Sequence, residues 1–188
     1  MQVPDKIKKI VLKPNFMTTS RIAAIPAIVI LLSYENRFTL FIAALVFSIA
    51  SVTDYFDGYL ARTQGMVTTL GKILDPVADK LLVASTLIML VETGFVTAWI
   101  AIVIIGRELA VTGLRCILIE KGQDVAASQL GKYKTGFQIA AIIPLTMHYK
   151  YFGIDIALIG LFFLYGAVIF TLWSGIDYFV RSRKYLGF

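Results

Sequence analysis

Apolar runs recur along the whole chain and are separated by short polar breaks. A helix crossing a bilayer needs about 20 mostly apolar residues. On that measure the runs predict spans at 17–34, 38–62, 71–92, 96–119, 130–149 and 153–181. Their short connections favour antiparallel neighbours in a bundle. Ahead of the first run, residues 1–16 set Val3, Ile7, Ile10 and Val11 at helical spacing opposite Lys6, Lys8, Lys9 and Lys13. That is the pattern of a helix lying in an anionic membrane surface, with a disordered basic tail as the alternative. The expected fold is an all-α integral membrane protein, six transmembrane helices preceded by a short amphipathic interfacial helix. With no repeat, low-complexity tract or linker, residues 1–188 read as a single domain.

Composition supports this reading. The 188 residues are 58% hydrophobic and their mean hydropathy is +0.79, against about 45–50% apolar content in ordinary soluble domains. The net charge of +6 is unevenly placed. If the N terminus is cytoplasmic, that face collects basic residues from Lys6 to Lys184, including Arg21, Arg62, Lys72, Arg115, Lys132 and Lys134, while the other face holds Arg37 and Lys150. Lys and Arg accumulate on the cytoplasmic side, so both termini are expected there, in a multi-pass protein of the cell membrane. No cleaved signal peptide is expected, and the single Cys116, in an apolar stretch, reads as ordinary packing.

The segment 53–80 reads TDYFDGYLARTQGMVTTLGKILDPVADK and places four acids at the ends of two apolar helices. A charge near the bilayer centre costs about 2.5–3.5 kcal/mol on insertion scales, so acids in such segments point to pairing and function. Asp54 and Asp57 are three residues apart and Asp75 and Asp79 four apart, so each pair shares a helix face. Converging carboxylates repel unless a hard cation relieves them, and an oxygen-only donor set suits Mg²⁺ or Mn²⁺ better than zinc. Gly58, Gly71 and Ala61 leave room for a phosphate or nucleotide, and Arg62 and Lys72 add cations suited to a diphosphate. Pro76 is tolerable in a first helical turn and places the start of the third span nearby. Interhelical salt bridges from these acids to Arg62, Lys72 and Lys80 are the competing structural reading.

This segment resembles the signature of the CDP-alcohol phosphatidyltransferases, D-x-x-D-G-x-x-A-R-x8-G-x-x-x-D-x-x-x-D. Asp54, Asp57, Gly58, Ala61, Arg62, Gly71, Asp75 and Asp79 occupy its eight fixed positions without departure. The stretches PNFMTTSRIAAIP (14–26), GRELAVTGLR (106–115), GKYKT (131–135) and TLWSGIDYF (171–179) resemble the bacterial branch that uses glycerol 3-phosphate as acceptor. The resemblance implies a six-helix, usually homodimeric membrane enzyme with CDP-diacylglycerol and glycerol 3-phosphate as substrates, membrane lipid around it and no nucleic-acid partner. It further implies Asp54, Asp57 and Asp75 as ligands of two metal ions and Asp79 as general base, also touching the second ion. Asp57, Gly58, Ala61, Arg62, Gly71 and Asp75 would then bind the CDP-lipid.

A phosphorylated acceptor needs its own cationic pocket, and Arg107, Arg115, Lys132 and Lys134 lie on the fourth and fifth spans, with Arg21 a further candidate. Topological charge bias competes for Arg115, Lys132 and Lys134, and an internal salt bridge to Glu108 competes for Arg107. His148, Trp99 and Trp173 read as interfacial or packing residues, and Phe162, Phe163 and Tyr165 as packing. Within the family, inositol phosphate is the alternative acceptor. Outside it, a membrane prenyltransferase and a cation transporter using the acids as an ion site are the competing classes.

Overall fold

A computed structural model of the chain describes residues 14–64, 69–123, 129–151 and 153–186, with the backbone alone at 14–18, 54–64, 69–75, 151 and 186. Residues 1–13, the body of the expected interfacial helix, lie outside it. Six helices form among the described residues: α1 (Pro14–Leu32), α2 (Arg37–Gln64), α3 (Thr69–Glu92), α4 (Ala98–Glu120), α5 (Gln129–Met147) and α6 (Ile156–Leu186). They follow the six apolar runs to within a few residues. One departure from an all-α fold is a two-residue antiparallel ladder, β1 (Lys150–Tyr151) with β2 (Ile154–Asp155), pairing Lys150 with Asp155. It turns through Gly153 at φ +80°, where a glycine avoids the steric cost of a side chain.

Local chemistry sets the helix ends. The Asn36 side chain accepts a hydrogen bond from the Phe38 amide (2.9 Å), and Asp155 accepts one from Ala157 (3.1 Å), so each caps the second amide of its helix. At the other ends, Gly94 and Gly122 take left-handed φ values of +79° and +72°. Phe95 donates to the Leu90 carbonyl and Gly94 to Val91, while Gln123 donates to Leu118 and Gly122 to Ile119. Both are the paired closing bonds of a Schellman motif, which satisfy carbonyls left over at a helix end.

The chain divides into two compact units, residues 1–89 and 90–188. In the first, α1 packs on α2, with Ile28 and Leu32 buried on α1 and Leu40, Ala43, Ala44 and Phe47 on α2. In the second, α6 packs against α4 and most extensively against α5. Small residues allow the close approach. A Cβ on Gly160 would fall 2.6 Å from Leu145 Cγ and 3.0 Å from its backbone nitrogen, and one on Gly166 would fall 2.6 Å from the Phe137 ring.

Polarity in α6 is inverted relative to a soluble helix. Its buried stripe includes Thr171, Ser174 and Ser182 among Leu164, Ala167, Val168 and Tyr178, whereas the outward face carries Leu158, Phe162 (72% exposed), Ile169, Trp173 and Val180 (66%). An apolar exterior over a partly polar interior is the arrangement lipid demands. Among the described residues α6 is the one helix both long and apolar enough to cross a bilayer. Pro26, Pro76 and Pro144 lie inside α1, α3 and α5, which soluble helices penalise by about 3 kcal/mol and membrane helices tolerate. Cys116, expected to pack, is exposed on α4, as are Phe162 and Tyr165 on α6. Phe163 does pack, 5.7 Å from Phe137 between ring centres. His148 stacks on Phe95 at 3.8 Å.

The close α5–α6 approach is testable. Gly160→Ala meets a backbone atom that cannot yield and should cost about 1–3 kcal/mol, read as a lower thermal unfolding midpoint in detergent. Gly166→Ala meets only the Phe137 ring, so its loss should be recovered in part by adding Phe137→Leu.

Candidate active site: the carboxylate helices and a buried cationic cluster

In the first unit, α2 is continuous to Gln64 and carries Asp54, Asp57, Gly58, Ala61 and Arg62 on one helix, while α3 carries Gly71, Asp75 and Asp79. Helical backbone through both segments makes the three- and four-residue spacings same-face spacings. Asp79 is half-buried. The side chains of the other seven signature residues lie outside the described set, and among the described residues no group of three His, Cys, Asp or Glu gathers as a metal site. The expectation that Pro76 marks the start of this helix is corrected, since α3 begins at Thr69 and Pro76 lies inside it. Lys80 Nζ reaches back to the Pro76 carbonyl at 3.2 Å. On α1, Arg21 is buried at 3% exposure.

The second unit holds a cationic cluster. Arg107 and Glu108 come from α4, Lys134 from α5 and Ser174 from α6. Arg107 Nη1 donates to Glu108 Oε1 (3.2 Å), Arg107 Nη2 donates to Ser174 Oγ (2.9 Å), and Lys134 Nζ donates to the same Glu108 oxygen. Ser174 in turn donates to the Thr171 carbonyl (3.2 Å). The side chains of Arg107, Glu108 and Lys134 are 14%, 15% and 8% exposed. Gly175 clears a path for the arginine, because a Cβ there would stand 3.1 Å from Arg107 Cγ.

Arg107 and Lys134 share one carboxylate oxygen of Glu108. Buried ions cost several kcal/mol each unless paired, and buried polar groups in native proteins nearly always have partners. Arg107 Nε is buried without a hydrogen-bond partner among the described residues, as are Gln138 Nε2 on α5 and Thr171 Oγ1 and Tyr178 OH on α6. A buried donor beside two cations suits an anionic, oxygen-rich ligand. Of the five basic candidates, the structure brings together Arg107 and Lys134, whereas Arg115 and Lys132 are exposed. The Arg107–Glu108 salt bridge does form. Lys134 uses the same acceptor. Sequence reasoning missed Ser174, Gln138 and the shared role of Glu108. The one local trace was the spacing of Lys134 and Gln138, one turn apart on α5.

The outward apolar faces, the carboxylate signature on two helices and the buried cationic cluster define a helical membrane protein. The model of the CDP-alcohol phosphatidyltransferase family matches residues 11–173, and the chain belongs to that family, whose members are enzymes. Similar proteins include three CDP-diacylglycerol–glycerol-3-phosphate 3-phosphatidyltransferases. That of Bacillus subtilis strain 168 is 44% identical, covering 92% of this chain and 96% of the relative. That of Rickettsia bellii is 40% identical over the same shares. The Escherichia coli K12 protein is 37% identical over 90% of this chain and 94% of its own.

Ser174→Ala removes the acceptor of Arg107 Nη2 and should cost about 1 kcal/mol of stability, with a matching fall in thermal midpoint. A midpoint equal to wild type would mean the guanidinium finds another acceptor.

Proposed function

We propose that this protein transfers the phosphatidyl group of CDP-diacylglycerol to sn-glycerol 3-phosphate, giving phosphatidylglycerophosphate and CMP in phospholipid biosynthesis. The observation that carries this is likeness along more than nine tenths of the chain to relatives of that named activity, with all eight signature positions intact. The family match runs through both compact units, which supports one functional domain.

In this reading the acceptor hydroxyl oxygen bonds to the lipid-side phosphorus of the diphosphate, and the bond from that phosphorus to the bridging oxygen breaks. CMP leaves with the bridging oxygen. The hydroxyl proton passes to the Asp79 carboxylate, acting as general base. Arg62 pairs with the diphosphate, and Gly58, Ala61 and Gly71 keep the surrounding helix surface low enough for the nucleotide to approach. The carboxylates of Asp54, Asp57, Asp75 and Asp79 form an oxygen-only donor set that fits Mg²⁺ or Mn²⁺, two ions being the expected number. The chemistry such ions supply is neutralisation of the diphosphate and of the charge developing on CMP. Arg107 and Lys134 hold the acceptor phosphate.

The described helices have 19 to 31 residues, and at about 1.5 Å of rise per residue the shortest is about 28 Å long, close to the roughly 30 Å apolar core. That length supports six spans. The basic residues, crowded toward one face, support cytoplasmic termini and a cytoplasmic site. A homodimer is the assembly the family resemblance favours.

Purified protein given CDP-diacylglycerol, labelled glycerol 3-phosphate and Mg²⁺ should form labelled phospholipid and CMP. Activity with inositol phosphate alone would keep the reaction class and replace the acceptor. Chelation with EDTA should abolish turnover and added Mg²⁺ restore it. Asp79→Asn should cut turnover by about 10²–10⁴-fold, the usual worth of a general base. Arg107→Gln and Lys134→Gln should each raise the KM for glycerol 3-phosphate about tenfold, the scale of one lost charge-assisted hydrogen bond, without moving that for CDP-diacylglycerol.

A further inference from the structure

We propose that Glu108 is a positioning residue for the acceptor: one of its carboxylate oxygens holds the Arg107 guanidinium and the Lys134 ammonium around a single point. The inference rests on the reading that these two cations bind the acceptor phosphate. It adds a residue with the wrong charge to touch that phosphate favourably.

The geometry separates this role from an ordinary salt bridge. Glu108 Oε1 accepts from Arg107, its neighbour on α4, and from Lys134, which α5 contributes from 26 residues along the chain. Lysine has a long, freely rotating stem and no preferred fork, so its ammonium goes where a partner holds it. Arg107 is fixed on its other side by Ser174 Oγ at 2.9 Å, and Gly175 leaves its stem unobstructed. The carboxylate therefore ties the Lys134 ammonium to an already anchored guanidinium. Without it, two like charges in a poorly solvated pocket would move apart. Their donors would then no longer converge on one tetrahedral phosphate. Arg107 Nε has no hydrogen-bond partner among the described residues, so the guanidinium keeps a donor to offer while Glu108 is engaged.

Removing the carboxylate while leaving both cations in place should thus loosen acceptor binding rather than tighten it. Simple charge counting gives the opposite sign, since Glu108→Gln raises the formal charge of the cluster by one. The full-length protein in lipid nanodiscs decides between them through KM for glycerol 3-phosphate, KM for CDP-diacylglycerol and kcat at saturating acceptor.

Glu108→Gln should raise the acceptor KM about tenfold and leave the other two constants within about twofold, the signature of misplaced ground-state contacts. Glu108→Asp, which keeps the charge but shortens its reach, should fall between Gln and wild type. The double variant Glu108→Gln/Lys134→Gln should be no worse than Lys134→Gln alone, because a residue that acts through Lys134 has nothing left to position. An unchanged or lowered acceptor KM in Glu108→Gln, with Arg107→Gln and Lys134→Gln both raising it, would overturn the positioning role and leave the acceptor site standing. No effect from any of the three would overturn the acceptor site and this inference together. A fall in kcat with both KM values rising, unrelieved by Glu108→Asp, would make Glu108 a structural brace instead. If Glu108→Gln fails to fold, Glu108→Asp decides: a wild-type acceptor KM overturns the proposal, and a raised one with CDP-diacylglycerol unaffected upholds it.

Discussion

Withdrawing Arg107, Glu108 and Lys134 from water costs several kcal/mol for each ion before any contact is made. The packing of α4, α5 and α6 has to recover that cost. It does so by bringing the three charges to one carboxylate oxygen and by giving the guanidinium a hydroxyl on the third helix. Among the described residues the recovery is incomplete, since Arg107 Nε is buried without a hydrogen-bond partner. A protein selected only for stability would have little reason to keep such a pocket. Replacing buried ion clusters by apolar side chains is often neutral or stabilising.

The same helices show what surrounds the pocket. Along α6 the hydroxyls of Thr171, Ser174 and Ser182 face inward while large apolar side chains face out. In lipid there is no hydrophobic drive between helices, so close contact depends on small residues and shared hydrogen bonds. Gly160 and Gly166 let α5 approach, and Gly175 makes room for a charged side chain rather than an apolar one. One helix thus combines a lipid-facing exterior, a packing seam and one wall of the cationic pocket.

The two compact units carry complementary chemistry. The first bears the carboxylates, which suit metal ions and a diphosphate. The second bears the cations, which suit a phosphorylated alcohol. A phosphatidyl transfer between a CDP-lipid and glycerol 3-phosphate asks for both kinds of group, and the family match extends through both units. The curated relatives align over nearly their whole length as well.

The six helices were legible in the sequence because apolar runs and end signals are local. Asn36 and Asp155 act within two residues, and Gly94 and Gly122 close a helix through bonds no more than five residues long. The carboxylate signature was legible for the same reason, its spacing being a property of two helical segments, although the convergence of its side chains is still an expectation. Pro76 misled as a start signal because a proline inside a membrane helix is tolerated where a soluble helix would break. The 150–155 ladder was missed because two-residue strands leave no periodicity to read. What tertiary structure alone decided was which basic residues act together. Arg115, Lys132 and Lys134 look alike along the chain, yet among the described residues it is Lys134 that joins Arg107 at Glu108. The contacts that sort them bridge 26 and 67 residues, and a partnership across that separation depends on how three helices pack, which no local pattern encodes.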